Sequence, residues 1–427
     1  MERFIIEGGR RLSGGITPAG NKNAALPSLA STLLTDQEVV LHNIPEIGDV
    51  ANKIALLRTL GVRVERRGDH SWALCAAGVG GAEPDVALSR TIRTSVLLAG
   101  PLLARRGHVT LPRPGGDVIG RRRLDTHFLA LRALGAAIEV TPSAYVLRAD
   151  RLHGADLFLD EMSVTGTEQA IMAAVLAEGI TTICNAASEP HVQDLCRFLN
   201  ALGARICGIG TNMLTIEGVA RLGGGEYTIG PDFMEVASFI GLAAVTGSAI
   251  RIYGARPEEH RMTRIAFGRL GVSWQDDGPD IVVPGDQDLH VREDIHNAIP
   301  KIDSAPWPGF NPDLISIALV VATQARGTVL IHEKMFESRL FFVDRLISMG
   351  ARIVLCDPHR AVVVGPSQLY GEPDGLPSPD IRAGMALLIA ALCAQGRSII
   401  YNIGQIDRGY ERIDQRLCSL GAQIKRV

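Results

Sequence analysis

The chain has 427 residues, enough for two or three domains of roughly 100–200 residues each and for more than one buried core. A 46% hydrophobic and 21% charged composition excludes a disordered or collagen-like chain. The formal net charge of -3 carries no basic surplus of the kind a dedicated nucleic-acid binder shows, but it allows a local basic pocket for a small anion.

In chain order, Met1 to Gly8 reads as a short strand rather than a signal peptide. Next comes Pro18-Ala19-Gly20-Asn21-Lys22-Asn23-Ala24-Ala25-Leu26-Pro27. A glycine turn there sets Lys22 and Asn23 at the head of a helix predicted over Ala24–Leu34. Unpaired N–H groups and the positive dipole end attract anions at such a place; the alternative is a solvated lysine beside an Asn N-cap.

A helical pattern then closes on Leu60-Gly61, and the same ending returns at Leu134-Gly135, Leu202-Gly203, Leu270-Gly271, Met349-Gly350 and Leu420-Gly421. Successive glycines lie 74, 68, 68, 79 and 71 residues apart, so six units fill the chain. In each copy Leu or Met closes the apolar helix face, Gly supplies a left-handed cap, and the next residues alternate as a half-buried strand should.

Between the first two endings runs the stretch Leu111 to His127. Its Pro112-Arg113-Pro114-Gly115-Gly116 can be neither helix nor central strand. The loop carries Asp117 among Arg113, Arg121, Arg122 and Arg123. Arginines there suit phosphate or carboxylate through forked hydrogen bonds, and Asp117 would be an acid–base group. The alternative is a surface loop whose Asp balances its arginines.

Further on, helices apolar nearly all round are predicted at Ala170–Glu178, Phe239–Thr246, Ile315–Arg326 and Arg382–Gln395, each followed by a glycine turn or break and a strand; such helices should be buried. Gly223-Gly224-Gly225 marks the break between units three and four, as a hinge or a tight turn. The extended Pro306-Trp307-Pro308-Gly309-Phe310-Asn311-Pro312 delivers Asp313 to the start of an apolar helix, as N-cap or as general base. Near the end, Ile406-Asp407-Arg408-Gly409-Tyr410-Glu411-Arg412 offers Arg408 to a cleft, or to a salt bridge with Glu411 or Asp407; Met335 to Arg339 holds the same station one unit earlier.

The longest apolar run, Met385 to Ala394, falls short of the about 20 residues a membrane helix needs. Seven scattered cysteines without a Cys-x-x-Cys pair predict reduced thiols, most of them small buried residues. A soluble cytoplasmic protein is expected, with neither membrane nor nucleic-acid partner. The sequence holds no Walker loop, no His-Glu-x-x-His and no Gly-x-Ser-x-Gly elbow.

The Gly-Asn-Lys-Asn-Ala-Ala-Leu-Pro segment, the Leu-Pro…Gly-Gly-x-x-Ile-Gly-x-Arg loop, the Pro-Asp before an apolar helix and the Ile-Asp-Arg-Gly-Tyr-Glu-Arg-Ile end stand in one order over the full length. Together they resemble the UDP-N-acetylglucosamine enolpyruvyl transferase family. The resemblance implies a two-lobed inside-out α/β barrel of six βαβαββ repeats, three per lobe, with the site in the interdomain cleft. Residues 22–229 would form the lobe carrying the loop 111–123, and residues 1–21 plus 230–427 the lobe carrying Asp313 and Arg408.

It further implies transfer of the enolpyruvyl group of phosphoenolpyruvate to a nucleotide-sugar hydroxyl, by addition and then elimination, without metal or cofactor and in a monomer. Lys22, Arg122, Arg408 and Arg382 would hold the donor, Asp117 would be the acid and Asp313 the base. Asn23, Arg93, Arg123, Leu124, Asp125, Ser163, Val164 and Met335 would complete the binding set. Most of the family has Cys where Asp117 stands, so no thioether adduct is expected here and the epoxide fosfomycin should not inactivate. Departures at Arg123, at Glu161-Met162 and at Phe233 leave open an acceptor other than UDP-N-acetylglucosamine, such as another nucleotide or nucleoside. A non-catalytic nucleotide-binding regulator is the alternative of another class.

Overall fold

The computed structural model describes residues 2–116 and 123–427. They fall into two compact units, residues 20–116 with 123–230, and residues 2–19 with 231–427. Each unit has its own hydrophobic core.

The six endings are all realised. Gly61, Gly135, Gly203, Gly271, Gly350 and Gly421 have φ between 85° and 103°, the left-handed region where a Cβ is costly. Each glycine is followed by a strand: Arg63–Gly68, Ala137–Val140, Arg205–Cys207, Gln275–Asp277, Arg352–Asp357 and Gln423–Arg426.

Among the described residues six small sheets result, three per unit. The clearest copy runs Lys301–Asp303, the helix Ile315–Gln324, Gly327–His332, the helix Val343–Ser348, then Arg352–Asp357 and Arg360–Gly365. The first and second strands pair in parallel across the buried helix, and the remaining pairs are antiparallel. The helices Phe233–Thr246, Ile315–Gln324 and Ile381–Cys393 pack on one another at the centre of their unit. Nearly every side chain on them is buried, as their unbroken apolar character requires.

Sequence neighbours are not always partners. Arg3–Glu7 pairs with Arg397–Tyr401 and Gln423–Arg426, and Ser13–Ile16 pairs in parallel with Ala249–Ile252. In the other unit Gly225–Thr228 lies parallel to Glu38–His42. The triple glycine is therefore neither hinge nor tight turn. It leads into that strand, and a Cβ on Gly224 would sit 2.4 Å from the Glu38 carbonyl oxygen.

The expectation of mostly buried cysteines fails. Cys196 alone is buried, while Cys207, Cys356 and Cys418 are exposed. Cys207 and Cys356 fall on the outward stations of alternating strands, where thiols meet solvent. No helix among the described residues is long and apolar enough to cross a membrane.

Candidate active site

In the unit of residues 20–230, the helix at the Gly-Asn-Lys-Asn segment begins at Lys22, two residues before its predicted start, and ends at Ser31 in a short 3-10 turn, Thr32–Leu34. Asn21 is its N-cap. Its Oδ1 accepts from the backbone N–H of Asn23 at 2.8 Å and of Ala24 at 3.1 Å. Gly20 is required there, because a Cβ would fall 1.7 Å from the Asn43 carbonyl oxygen.

Lys22 is not the solvated lysine of the alternative reading. It is 8% exposed, and its Nζ meets Asp49 Oδ2 at 2.8 Å. Asp49 lies in the first turn of the helix Gly48–Thr59. A buried ammonium at a helix head, held by one carboxylate, keeps the positive dipole end and a fixed cation together.

Asp117, Arg121 and Arg122 lie outside the described residues. What precedes them is described. After the strand His108–Pro112 the loop settles on the segment Arg90–Arg93. A Cβ on Gly115 would fall 1.7 Å from the Arg90 carbonyl oxygen, and one on Gly116 would fall 2.8 Å from the Arg93 Cβ. Gly115 is thus a close approach of backbone to backbone, while Gly116, at φ 107°, also sits in the left-handed region.

Where the chain resumes, Arg123 donates to Asp160 Oδ2 at 3.2 Å and lies 3.7 Å from Asp125. Its carbonyl accepts from the Arg93 guanidinium at 3.1 Å. Leu124 is the buried residue ahead of the helix Asp125–Ala133, whose Asp125 is exposed. Ser163 caps the helix Val164–Ala174 by accepting from the Gly166 N–H.

In the other unit, Asp313 is not the N-cap. Asn311 takes that role and accepts from the Asp313 N–H at 2.8 Å. The Asp313 carboxylate is freed for side-chain partners: Oδ1 accepts from Arg339 at 2.6 Å and Oδ2 from Arg382 Nε at 3.2 Å. Both arginines are buried, at 3% and 5% exposure.

Arg382 also donates to the Tyr410 hydroxyl at 3.1 Å and reaches Met234 Sδ. Burial works against its charge, but Tyr410, Asp313 and Asp232 outweigh that and raise its pKa. Burial likewise raises the Tyr410 phenol, with Arg382 pulling the other way. The result is a carboxylate aimed by two fixed guanidiniums, one of them braced by a phenol.

Arg408 ends the short helix Gly404–Asp407 and donates to Gln405 Oε1 at 2.9 Å. Asp407, one of the two salt-bridge partners considered for it, holds Arg426 in a forked pair at 2.7 and 2.8 Å. Met335 is 38% exposed, and its N–H donates to Glu333 Oε1.

The structure thus brings Asp313 and Arg382 together and ties Arg93 to Arg123. Sequence reading missed Asp49 and the role of Arg339. A hint existed for Arg339, since it stands at the end of a station already singled out; none marked Asp49. No group of three or more His, Cys, Asp or Glu among the described residues is placed to hold a metal ion.

Comparison with known proteins places the chain in a family. The pattern of the EPSP synthase (3-phosphoshikimate 1-carboxyvinyltransferase) family matches residues 6–417. The UDP-N-acetylglucosamine 1-carboxyvinyltransferase of Treponema denticola is 56% identical over 425 residues, covering 100% of this chain and 99% of that one. The protein of the same name in Bradyrhizobium diazoefficiens is 56% identical over 425 residues, covering 100% and 98%. Among solved structures, the enolpyruvyl transferase NikO from Streptomyces tendae superposes with a TM-score of 0.88 at 24% identity, covering 100% of this chain and 99% of that one. EPSP synthase from Acinetobacter baumannii gives 0.75 at 18%, covering all of both chains. At those identities the likeness is one of fold, the inside-out α/β barrel of enolpyruvyl transferases.

Proposed function

Because the chain belongs to the EPSP synthase family of carboxyvinyltransferases, we propose that it transfers the enolpyruvyl group of phosphoenolpyruvate to the 3-hydroxyl of UDP-N-acetylglucosamine, releasing phosphate, as the first committed step of peptidoglycan synthesis. The observation that carries this reading is the full-length likeness to curated proteins of that name. The same likeness argues against another nucleotide acceptor and against a non-catalytic regulator, because relatives above half identity share the sugar-nucleotide name.

The reaction sets the demands on the residues. In the addition, the acceptor hydroxyl loses its proton to a base and its oxygen bonds to C2 of phosphoenolpyruvate. C3 takes a proton from an acid and becomes a methyl group, giving a tetrahedral ketal. In the elimination, C3 returns a proton and the C2–O bond to phosphate breaks.

We assign the base to Asp313 and the acid to Asp117. Support for Asp313 is its fixed direction, since Arg339 and Arg382 each hold one carboxylate oxygen. Lys22, Arg122 and Arg408 are assigned to the phosphate and carboxylate of the donor. The buried setting of Lys22 at a helix head supports its part. Arg382, already committed to Asp313 and Tyr410, serves as the brace of the base. Asn23, Arg93, Arg123, Leu124, Asp125, Ser163, Val164 and Met335 remain the proposed binding set.

The test is phosphate release from phosphoenolpyruvate with UDP-N-acetylglucosamine and, separately, with UDP, UMP and uridine. Release with the sugar nucleotide alone is the expected result. Release only with a rival acceptor would keep the chemistry and overturn the acceptor.

A further inference from the structure

A buried amine stands outside the roles given above. Lys53 lies on the helix Gly48–Thr59, one turn after Asp49, and its side chain is fully buried. Its Nζ donates to the Thr94 carbonyl oxygen at 2.6 Å. Thr94 follows Arg93 in the 3-10 helix Arg93–Leu98, on which Gly116 and the Arg123 carbonyl both rest.

Glu168, 1% exposed on the helix Val164–Ala174, faces Lys53 electrostatically. Its Oε1 finds no hydrogen-bond partner among the described residues. Burial pulls Lys53 down to about 7, with Glu168 pushing back. Burial and Glu189 push Glu168 well up, with Lys53 opposing. Whether the amine is charged or neutral, it retains an N–H for Thr94.

A buried lysine and glutamate are a poor means to stability, because apolar residues of similar volume usually serve a core as well or better. What this amine does instead is tie the helix that presents Asp49 to the segment that carries Arg93, with the Glu168 charge of the Val164–Ala174 helix acting on it. The Gly48–Thr59 helix presents Asp49 to Lys22. The 3-10 helix carries Arg93, and the Val164–Ala174 helix begins at Ser163 and Val164.

We propose that Lys53 is a positioning residue for the transferase, its buried amine locking the Lys22–Asp49 pair and the Arg93 segment into the register that donor binding needs. The proposal rests on the enolpyruvyl-transfer reading given above.

Three proteins test it: the natural chain, Lys53→Met, and the double variant Lys53→Met/Glu168→Leu. Turnover and melting temperature are measured for each with phosphoenolpyruvate and UDP-N-acetylglucosamine. The natural chain is assayed first, and a folded natural chain without turnover overturns the functional reading and this proposal with it.

Given turnover, Lys53→Met should raise KM for phosphoenolpyruvate about tenfold, keep kcat within about threefold, and lower the melting temperature by leaving Glu168 alone. The double variant removes both charges and should recover the melting temperature while KM stays raised. If KM recovers together with the melting temperature, the pair is structural only and the proposal fails. It also fails if KM is unchanged and the loss falls on kcat. Should the single variant not fold, the double variant is read alone: raised KM supports the proposal, and natural KM overturns it.

Discussion

At Asp313 two guanidiniums fix the direction of one carboxylate, and this geometry sets what substitution there should do. Asp313→Asn keeps the shape and removes the carboxylate proposed as the base. Its kcat should fall about 10²–10⁴-fold, with KM for phosphoenolpyruvate little changed; a steady-state titration of the donor separates the two. Lys22→Met removes a buried cation and its ion pair with Asp49. A charged hydrogen bond of about 3 kcal/mol corresponds to roughly 10²-fold in kcat/KM, which the same assay reads. Asp117 supplies no thiolate, so overnight incubation with fosfomycin should leave turnover intact and the protein mass unchanged. The stations Lys22, Asp313 and Arg408 were legible because each sits in a local pattern of glycine, proline or cap residues. Their partners were not. Asp49 and Arg339 lie 27 and 26 positions away from the residues they hold, and no local rule links side chains across a fold.

The elements were far more legible, because the device that ends each unit is local. A helix that must stop and turn sharply needs one residue in the left-handed region, and glycine takes that conformation without strain. Six Leu-Gly or Met-Gly endings therefore announced six units, and all six glycines have positive φ. Reading failed where a tertiary approach, not a turn, demanded glycine, as at Gly115 and Gly224. These two kinds of glycine should respond differently to alanine. Gly203 has open space at its Cβ position, so Gly203→Ala should cost only the conformational strain, about 1–2 kcal/mol. Gly61 adds a contact of 2.6 Å with the Gly78 carbonyl oxygen, so Gly61→Ala should cost more. Gly20→Ala should go further and raise donor KM as well, since the clash with Asn43 displaces the head of the Lys22 helix. Urea unfolding midpoints rank the first two, and kinetics separates the third.

For the whole molecule, acid is the condition that should find a weakness in both units at once. Burial, reinforced by Arg93, drives His127 down to about 3. Burial also takes His260 down to about 4, against the pull of its bond to the Ala255 carbonyl. Both stay neutral in the folded chain while the unfolded chain binds their protons below about 6.5. Their contribution is thus complete above that pH and is lost as pH falls toward the folded values. The loss should reach about 2 kcal/mol for each at pH 5. Urea midpoints from pH 7 to 5 measure it, and His127→Gln with His260→Gln should flatten the slope.

The pairing of the first strands has a consequence for how the protein is made. Arg3–Glu7 and Ser13–Ile16 are synthesised long before their partners, which begin at Arg397 and at Ala249. Glu7 must wait for Arg397, 390 positions later, which at about 5–20 residues per second is tens of seconds. Meanwhile residues 20–230 can complete a core of their own. Throughout that interval Phe4 and Ile6, fully buried in the finished fold, are displayed on an unpaired strand. The newborn chain therefore carries an open invitation to misassociation at this strand until its distant partners arrive.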